Sequence, residues 1–157
     1  MIKQLVLPFL GVIAFIAIVG IFLQKTSNLT PTQHTVTIDG KVINVEIANT
    51  PEERQQGLSG RTSLAVDGGM LFIFESKGVN PTFWMKEMLF PLDFIWIGSG
   101  KVVKIDKNVP IPAPNTPDSG LKLYTAGQPV DYVLEVNAGF SDSNSIKVGD
   151  SVALTGI

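Results

Sequence analysis

The chain has 157 residues, 45% of them hydrophobic, with ten prolines and no cysteine; this suits one membrane segment plus one compact domain large enough to bury its own core. Without cysteine there is no disulfide, iron–sulfur cluster, zinc-thiolate site or cysteine nucleophile. The formal net charge is −2, but residues 1–26 hold Lys3 and Lys25 and no acid, so the rest carries ten bases against fourteen acids and is a poor candidate for nucleic acid, which requires a clustered basic surface.

Leu5 to Leu23 is a run of 19 residues without a charge, roughly 28 Å long as a helix, which matches the hydrocarbon core of a bilayer. The run is longer than the apolar region of about 7–15 residues in a signal peptide, and its exit, FLQKTS, has no small-x-small cleavage site. Residues 1–24 are therefore expected to be an uncleaved transmembrane helix, touching lipid through residues 5–23. Lys3 and the amino terminus favour a cytoplasmic start, which places the domain outside the cytoplasm as a single-pass protein of the cell membrane. Residues 25–33 form a polar linker and residues 34–157 the folded domain. The linker also holds a formal glycosylation sequon, Asn28-Leu29-Thr30, a minor reading beside Pro31.

The domain opens with HTVTI, Asp39-Gly40 and KVINVEI, two alternating runs around a strong hairpin signal. Ile43, Val45 and Ile47 are expected to face the core. His34, the only histidine, has no visible partner for catalysis or metal binding. Thr50-Pro51-Glu52-Glu53 predicts a helix start, with Thr as N-cap, Pro in the first turn and Glu for the reciprocal capping bond. Gly57 or Gly60 ends that short helix, which presents Arg54 and is followed by Leu58 and Arg61. Asp67-Gly68-Gly69 then turns into MLFIF, a strand apolar on both faces and so central.

The stretch from Phe83 to Ile97, FWMKEMLFPLDFIWI, joins two aromatic-rich runs through Leu89, Phe90 and Pro91. On a strand, alternation puts Asp93 with Ile95 and Ile97, and Leu92, Phe94 and Trp96 on the other face. The same count aligns Lys86 with Trp84 and Met88. Two opposite charges thus enter core-like runs, and each needs compensation, because an unpaired buried charge costs several kcal/mol. Gly98-Ser99-Gly100 turns the chain into KVVKI; GSGK there lacks the earlier glycine, the hydroxyl residue and the helix of a phosphate loop.

VPIPAPNTP, residues 109–117, predicts a stiff extended loop suited to be the lid or rim of a site. Tyr124 and then DYVLEV resume strand character, with Glu135 beside Val133 on an otherwise apolar face. Asn137-Ala138-Gly139 turns the chain again. Asp142-Ser143-Asn144 lacks the further ligands of a calcium loop, and Gly149-Asp150 leads into SVALT. Seven or eight short strands and one short helix predict a mainly β domain, an antiparallel β-sandwich or partly closed barrel.

Taken together, TPEER, GL followed by Arg61, GGMLFIF, FWMKEMLFPLDFIWI, the Gly-turn hairpin, YVLEVNAG and the final GD resemble the bacterial and archaeal domain of unknown function 192, over about residues 43–155. The family pattern usually has Asn where this chain has Glu87, and often Asp where it has Gly98. The resemblance implies a mainly β sandwich, commonly after a signal or anchor segment, and supplies no reaction.

The candidate site is a polar pocket. Arg54, Arg61, Trp84 and Lys86 are expected to bind a ligand, while Asp93 or Glu135, with a pKa raised by burial, serves as acid or base. The competing reading is a structural ion network that fixes strand register. Trp84 and Trp96 are either core or platforms for sugar rings. No metal or cofactor is implied. The expected function is binding of a small envelope ligand or protein partner. The alternatives are a metal-independent envelope hydrolase using Asp93 and Glu135, and a non-catalytic envelope assembly factor.

Overall fold

The computed structural model describes residues 33–157; the anchor at residues 1–24 and the linker up to residue 32 lie outside the described residues. Among those described, no helix is long and apolar enough to cross a membrane. The elements in chain order are β1 (Thr35–Ile38), β2 (Lys41–Ala48), α1 (Pro51–Gln56), β3 (Gly68–Ile73), β4 (Leu92–Gly98), β5 (Lys101–Val109), a 3₁₀ turn (Asp118–Gly120), β6 (Tyr132–Asn137), α2 (Phe140–Ser143) and β7 (Val152–Thr155).

All seven strands belong to one sheet, in the order β5-β4-β6-β3-β2-β1-β7. Of the two expected architectures the partly closed barrel is the one found: a single sheet curled into a half-barrel replaces a sandwich of two sheets. Its edges meet at one end, where Lys101 bridges Ser151 and the Val152 N–H donates to the Gly100 carbonyl at 2.8 Å. The sheet is also mixed. β2 runs parallel to β3, from Asn44 beside Gly68 to Ala48 beside Phe72, because α1 and the loop after it carry the chain back to the start of the next strand, as a parallel pair requires.

Local chemistry sets the joints. Asp39 and Gly40 (φ 46° and 84°), like Ser99 and Gly100 (φ 52° and 69°), have both central turn residues left-handed, the geometry that matches the twist of a two-residue hairpin. Thr50 caps α1 in the predicted box: the Glu53 N–H donates to Thr50 Oγ1 at 3.2 Å and the Thr50 N–H to Glu53 Oε2 at 3.0 Å. Gly57 ends the helix, its N–H donating to the Glu53 carbonyl at 2.8 Å. Two short helices and a 3₁₀ turn stand where one short helix was expected.

The sheet is apolar on both sides. Val36, Ile43, Leu71, Ile95, Ile97, Leu134 and Val136 fill the inner face. Phe72, Phe94, Trp96 and Val133 lie on the outer face under Leu58, Met85, Met88 and Tyr124. β4 is buried along its whole length, and the predicted alternation holds there, with Asp93 on the inner side.

Residues 83–91 depart from the strand expectation. Phe83 alone makes a bridge, exchanging both backbone hydrogen bonds with Tyr124 at 2.9 Å. Beyond it the chain turns at Glu87 (φ 56°), and the Gly60 N–H donates to the Glu87 carbonyl at 2.9 Å. Met85 and Met88 are thus the buried pair, while Trp84 is 42% exposed and Lys86 is half-buried.

A left-handed conformation costs a residue with an ordinary side chain roughly 1–2 kcal/mol, and Asn tolerates it better. Asn at position 87 would therefore hold this turn with less strain than Glu. Glu87→Asn is expected to stabilise the domain by about 0.5–1 kcal/mol, read as a raised urea midpoint at unchanged slope. An unchanged midpoint would mean that backbone strain is not what this position demands.

Candidate functional site

On the outer face a cleft of about 140 Å³ lies between α1 and the connection that leads from β3 to β4. Arg54, Gly57 and Leu58 line it from α1 and its exit, and Phe72 and Phe74 from β3 and the residue beyond it. Pro81, Phe83, Trp84 and Met88 line it from the connection, and Glu135 from β6. The two walls are tied together, because Ser59 Oγ donates to the Lys86 carbonyl at 2.8 Å. Phe83 is the hub beneath. Its ring meets Phe72 edge-on at 4.8 Å, Trp96 at 5.5 Å and Phe94 at 5.9 Å.

Glu135 is flanked across the sheet by Met70 of β3 and Phe94 of β4, both apolar, and is 5% exposed. Gly69 next to Met70 has no room for a side chain, since a Cβ there would stand 2.9 Å from the Glu135 carbonyl oxygen; β3 and β6 are thereby packed tightly at this point. Burial alone pushes the Glu135 carboxyl up to about 8, and no hydrogen bond or neighbouring charge acts on it. At neutral pH it is mostly a protonated acid, able both to donate and to accept a hydrogen bond.

Arg54, at the cleft, is chiefly a clamp. Its Nη1 donates to the Asn49 carbonyl at 2.6 Å and the Ile73 carbonyl at 3.0 Å, which holds α1 against the ends of β2 and β3. Its guanidinium lies 5.9 Å from the Phe74 ring centroid and 3.8 Å from exposed Glu75. Trp84 lines the cleft and is the most exposed of its aromatic residues.

The other expected site residues lie elsewhere. Lys86 pairs with Asp118, in the 3₁₀ turn that follows the proline-rich loop, at 2.6 Å, which raises its pKa, and its Nζ stands 5.8 Å from the Trp84 ring centroid. It is a solvent-side ion pair and does not enter the core. Arg61 grips Glu46 with two hydrogen bonds, at 2.5 and 2.8 Å, and holds that carboxyl below its ordinary range. The proline-rich loop lines a different cavity, with Met85 and Tyr124.

Asp93 is fully buried on the inner side. Its Oδ1 accepts from the backbone N–H groups of Asn108 at 2.8 Å and Gly139 at 3.1 Å, and its Oδ2 from that of Ser141 at 2.9 Å. It thereby fastens the end of β5 and the turn after β6 to β4. Asp93 and Glu135 extend from opposite faces of the sheet, because Asp93 pairs with Val136 and Phe94 with Glu135. Of the six expected residues, then, the cleft brings together Arg54, Trp84 and Glu135. Trp96 is core, its Nε1–H donating to Asp106 Oδ2 at 2.7 Å.

The aromatic lining is not legible as such in the sequence. Phe72 and Phe74 stand out in the sequence only as parts of a central strand, and Phe83 as part of a strand that does not form. Among the described residues no three His, Asp or Glu side chains are grouped to hold a metal ion.

The chain matches the model of the DUF192 family, described as "Uncharacterized ACR", over residues 34–154. A crystal structure of a protein from Sinorhizobium meliloti 1021, described as a proposed transcription regulator, is 31% identical. It superposes with a TM-score of 0.69, over 80% of this chain and 95% of that one. A protein of unknown function from Novosphingobium aromaticivorans DSM 12444 is also 31% identical, with a TM-score of 0.68 over 80% of this chain and 89% of that one. No curated protein matches the chain.

The two buried carboxyls are expected to respond in opposite ways to an amide. Asp93→Asn turns an NH₂ or a weaker acceptor toward three backbone donors and is expected to cost roughly 2–3 kcal/mol in urea denaturation. Glu135→Gln is expected to be stabilising above neutral pH. The folded pKa of about 8 lies above the ordinary 4.5, so the native state holds the extra proton between those values and loses stability as pH rises through that window. The stability difference between Glu135→Gln and wild type should grow by roughly 3–5 kcal/mol from pH 4.5 to 8 and stay level above; a difference independent of pH would contradict the buried neutral acid.

Proposed function

This chain belongs to the DUF192 family, and from that premise we propose that it is a membrane-anchored binding domain outside the cytoplasm, whose Glu135 cleft takes a small ligand of the cell envelope or a side chain of an envelope protein. The observation that carries the reading is the carboxyl itself. A buried acid with no partner is destabilising, and this one lines an aromatic cleft rather than a closed core. Apolar walls with a few convergent polar groups are the usual make-up of a ligand site. Phe72, Phe83 and Trp84 supply the walls, and Glu135 the group that orients the ligand.

A hydrolase using Asp93 with Glu135 has less support. The two carboxyls project from opposite faces, and three backbone donors already occupy Asp93. A nucleic-acid role, suggested by the description of the Sinorhizobium meliloti protein, has little support in a chain with more acids than bases.

The test is a screen of the full-length chain in detergent against cell-wall fragments, sugars, short peptides and small amines, following melting temperature and tryptophan emission. A compound that occupies the cleft at about 100 times its Kd should stabilise the fold by roughly 2.7 kcal/mol. It should also perturb emission, because Trp84 lines the cleft while Trp96 is buried, and the emission change should vanish in Trp84→Phe. If no compound shifts either signal, or if the shifts survive replacement of Trp84 and Glu135, the binding reading fails.

A further inference from the structure

Resting on that reading of the cleft, we propose that the group Glu135 receives is a primary ammonium carried on a small ring-shaped or apolar body, and that binding releases the Glu135 proton to solvent. The step balances as R–NH₃⁺ plus the protonated carboxyl giving a carboxylate paired with R–NH₃⁺, plus one H⁺.

The first argument is the choice of residue. If the cleft needed only a neutral donor and acceptor, Gln would offer the same hydrogen bonds in the same volume without an ionisable group in a buried place. What Glu adds is the ability to become negative when a cation arrives. In the empty cleft burial holds the acid neutral, so the charge develops only with its partner, and a buried, uncompensated carboxylate never has to exist.

The surroundings select a cation in the same way. Phe72, Phe74, Phe83 and Trp84 surround the cleft, and aromatic rings attract ammonium groups, more strongly where water is excluded. No second acid lines the cleft with Glu135. From β3 and β4 its neighbours are Met70, Phe72 and Phe94, all uncharged. From α1 the one charged lining residue is Arg54, committed to two carbonyls and facing Glu75 at 3.8 Å. From the connection, Lys86 is neutralised by Asp118 at 2.6 Å, and Glu87 is not a lining residue. An anion would find one positive charge, a guanidinium already in use, and otherwise only the neutral side chains of Gln55, Gln56, Ser59 and Thr82. In size, about 140 Å³ compares with the roughly 150 Å³ engineered cavity that takes up benzene.

Benzylamine and benzyl alcohol, which share a ring and differ in ammonium against hydroxyl, are the probes. Binding to the full-length chain is followed by Trp84 emission from pH 6 to 8.5, and proton release by calorimetry in buffers of different ionisation enthalpy. The apparent affinity for benzylamine should rise about tenfold per pH unit below the titration of Glu135 and level off above it, with about one proton released per ligand at pH 6. Benzyl alcohol should bind more weakly at pH 8, with no rise. Glu135→Gln should remove the pH dependence and weaken benzylamine binding at pH 8 at least tenfold, so that benzylamine loses its advantage over benzyl alcohol. Benzyl alcohol binding as well as benzylamine at pH 8, or benzylamine binding without proton release, overturns the ammonium inference and leaves the cleft reading standing. If neither probe binds, the ammonium inference is overturned as well, and the cleft reading is then decided by the wider screen.

Discussion

A sheet that is apolar on both faces must be covered twice, and the rest of this domain follows from that constraint. β4 is buried from end to end, so neither of its faces can be left to water without losing roughly 25 cal/mol for each Å² of apolar surface exposed. The inner face is covered by curling the sheet until β5 and β7 touch at Lys101 and Ser151. The outer face cannot be closed by curling. It is roofed by α1, by the connection from β3 to β4 and by Tyr124, pinned down through Arg54, Ser59 and the Phe83 bridge. A roof made from irregular chain fits less evenly than a second sheet, and the cleft over Glu135 lies where two of its parts meet.

The two carboxyls of the central strands show how differently one sheet can treat the same chemical group. Asp93 sits where the chain turns back, so three backbone N–H groups converge on it. Removing it would leave those donors unsatisfied, a penalty of about 1–3 kcal/mol each when fully buried. Glu135 sits mid-strand, where backbone donors are spent in the ladder and its neighbours are Met70 and Phe94. It has nothing to bond to but what enters the cleft. By this difference Asp93 belongs to the architecture and Glu135 to the site.

Much of this was legible in the residues. The capping box at Thr50, a glycine stop at Gly57 or Gly60, the Asp39-Gly40 hairpin and the face that Asp93 shares with Ile95 and Ile97 rest on short-range rules that tertiary context does not override here. Glu135 was legible as an acid on an apolar face. The parallel pairing of β2 with β3 was not, because an α1 of six residues leaves too faint a helical pattern to announce a crossover. The fate of 83–91 was hidden too. A single left-handed residue, Glu87, converts a period of two into the three-residue spacing of Met85 and Met88, and nothing in a Glu advertises that conformation. The partner of Lys86 lies in the turn just after a proline-rich loop whose path no periodicity fixes, and the expected meeting of five charges gives way to separate ion pairs at Lys86, Arg61 and Arg54, backbone bonds at Asp93 and an unpaired Glu135.

The central claim is that Glu135 stands neutral and unpartnered in the cleft. It is tested most directly by following the carboxyl carbon of Glu135 through a pH titration by NMR in glutamate-labelled protein, with Glu135→Gln to assign the resonance. The account predicts a midpoint near 8. A midpoint near 4.5, the ordinary value for Glu, would show a solvated or partnered carboxylate and contradict it.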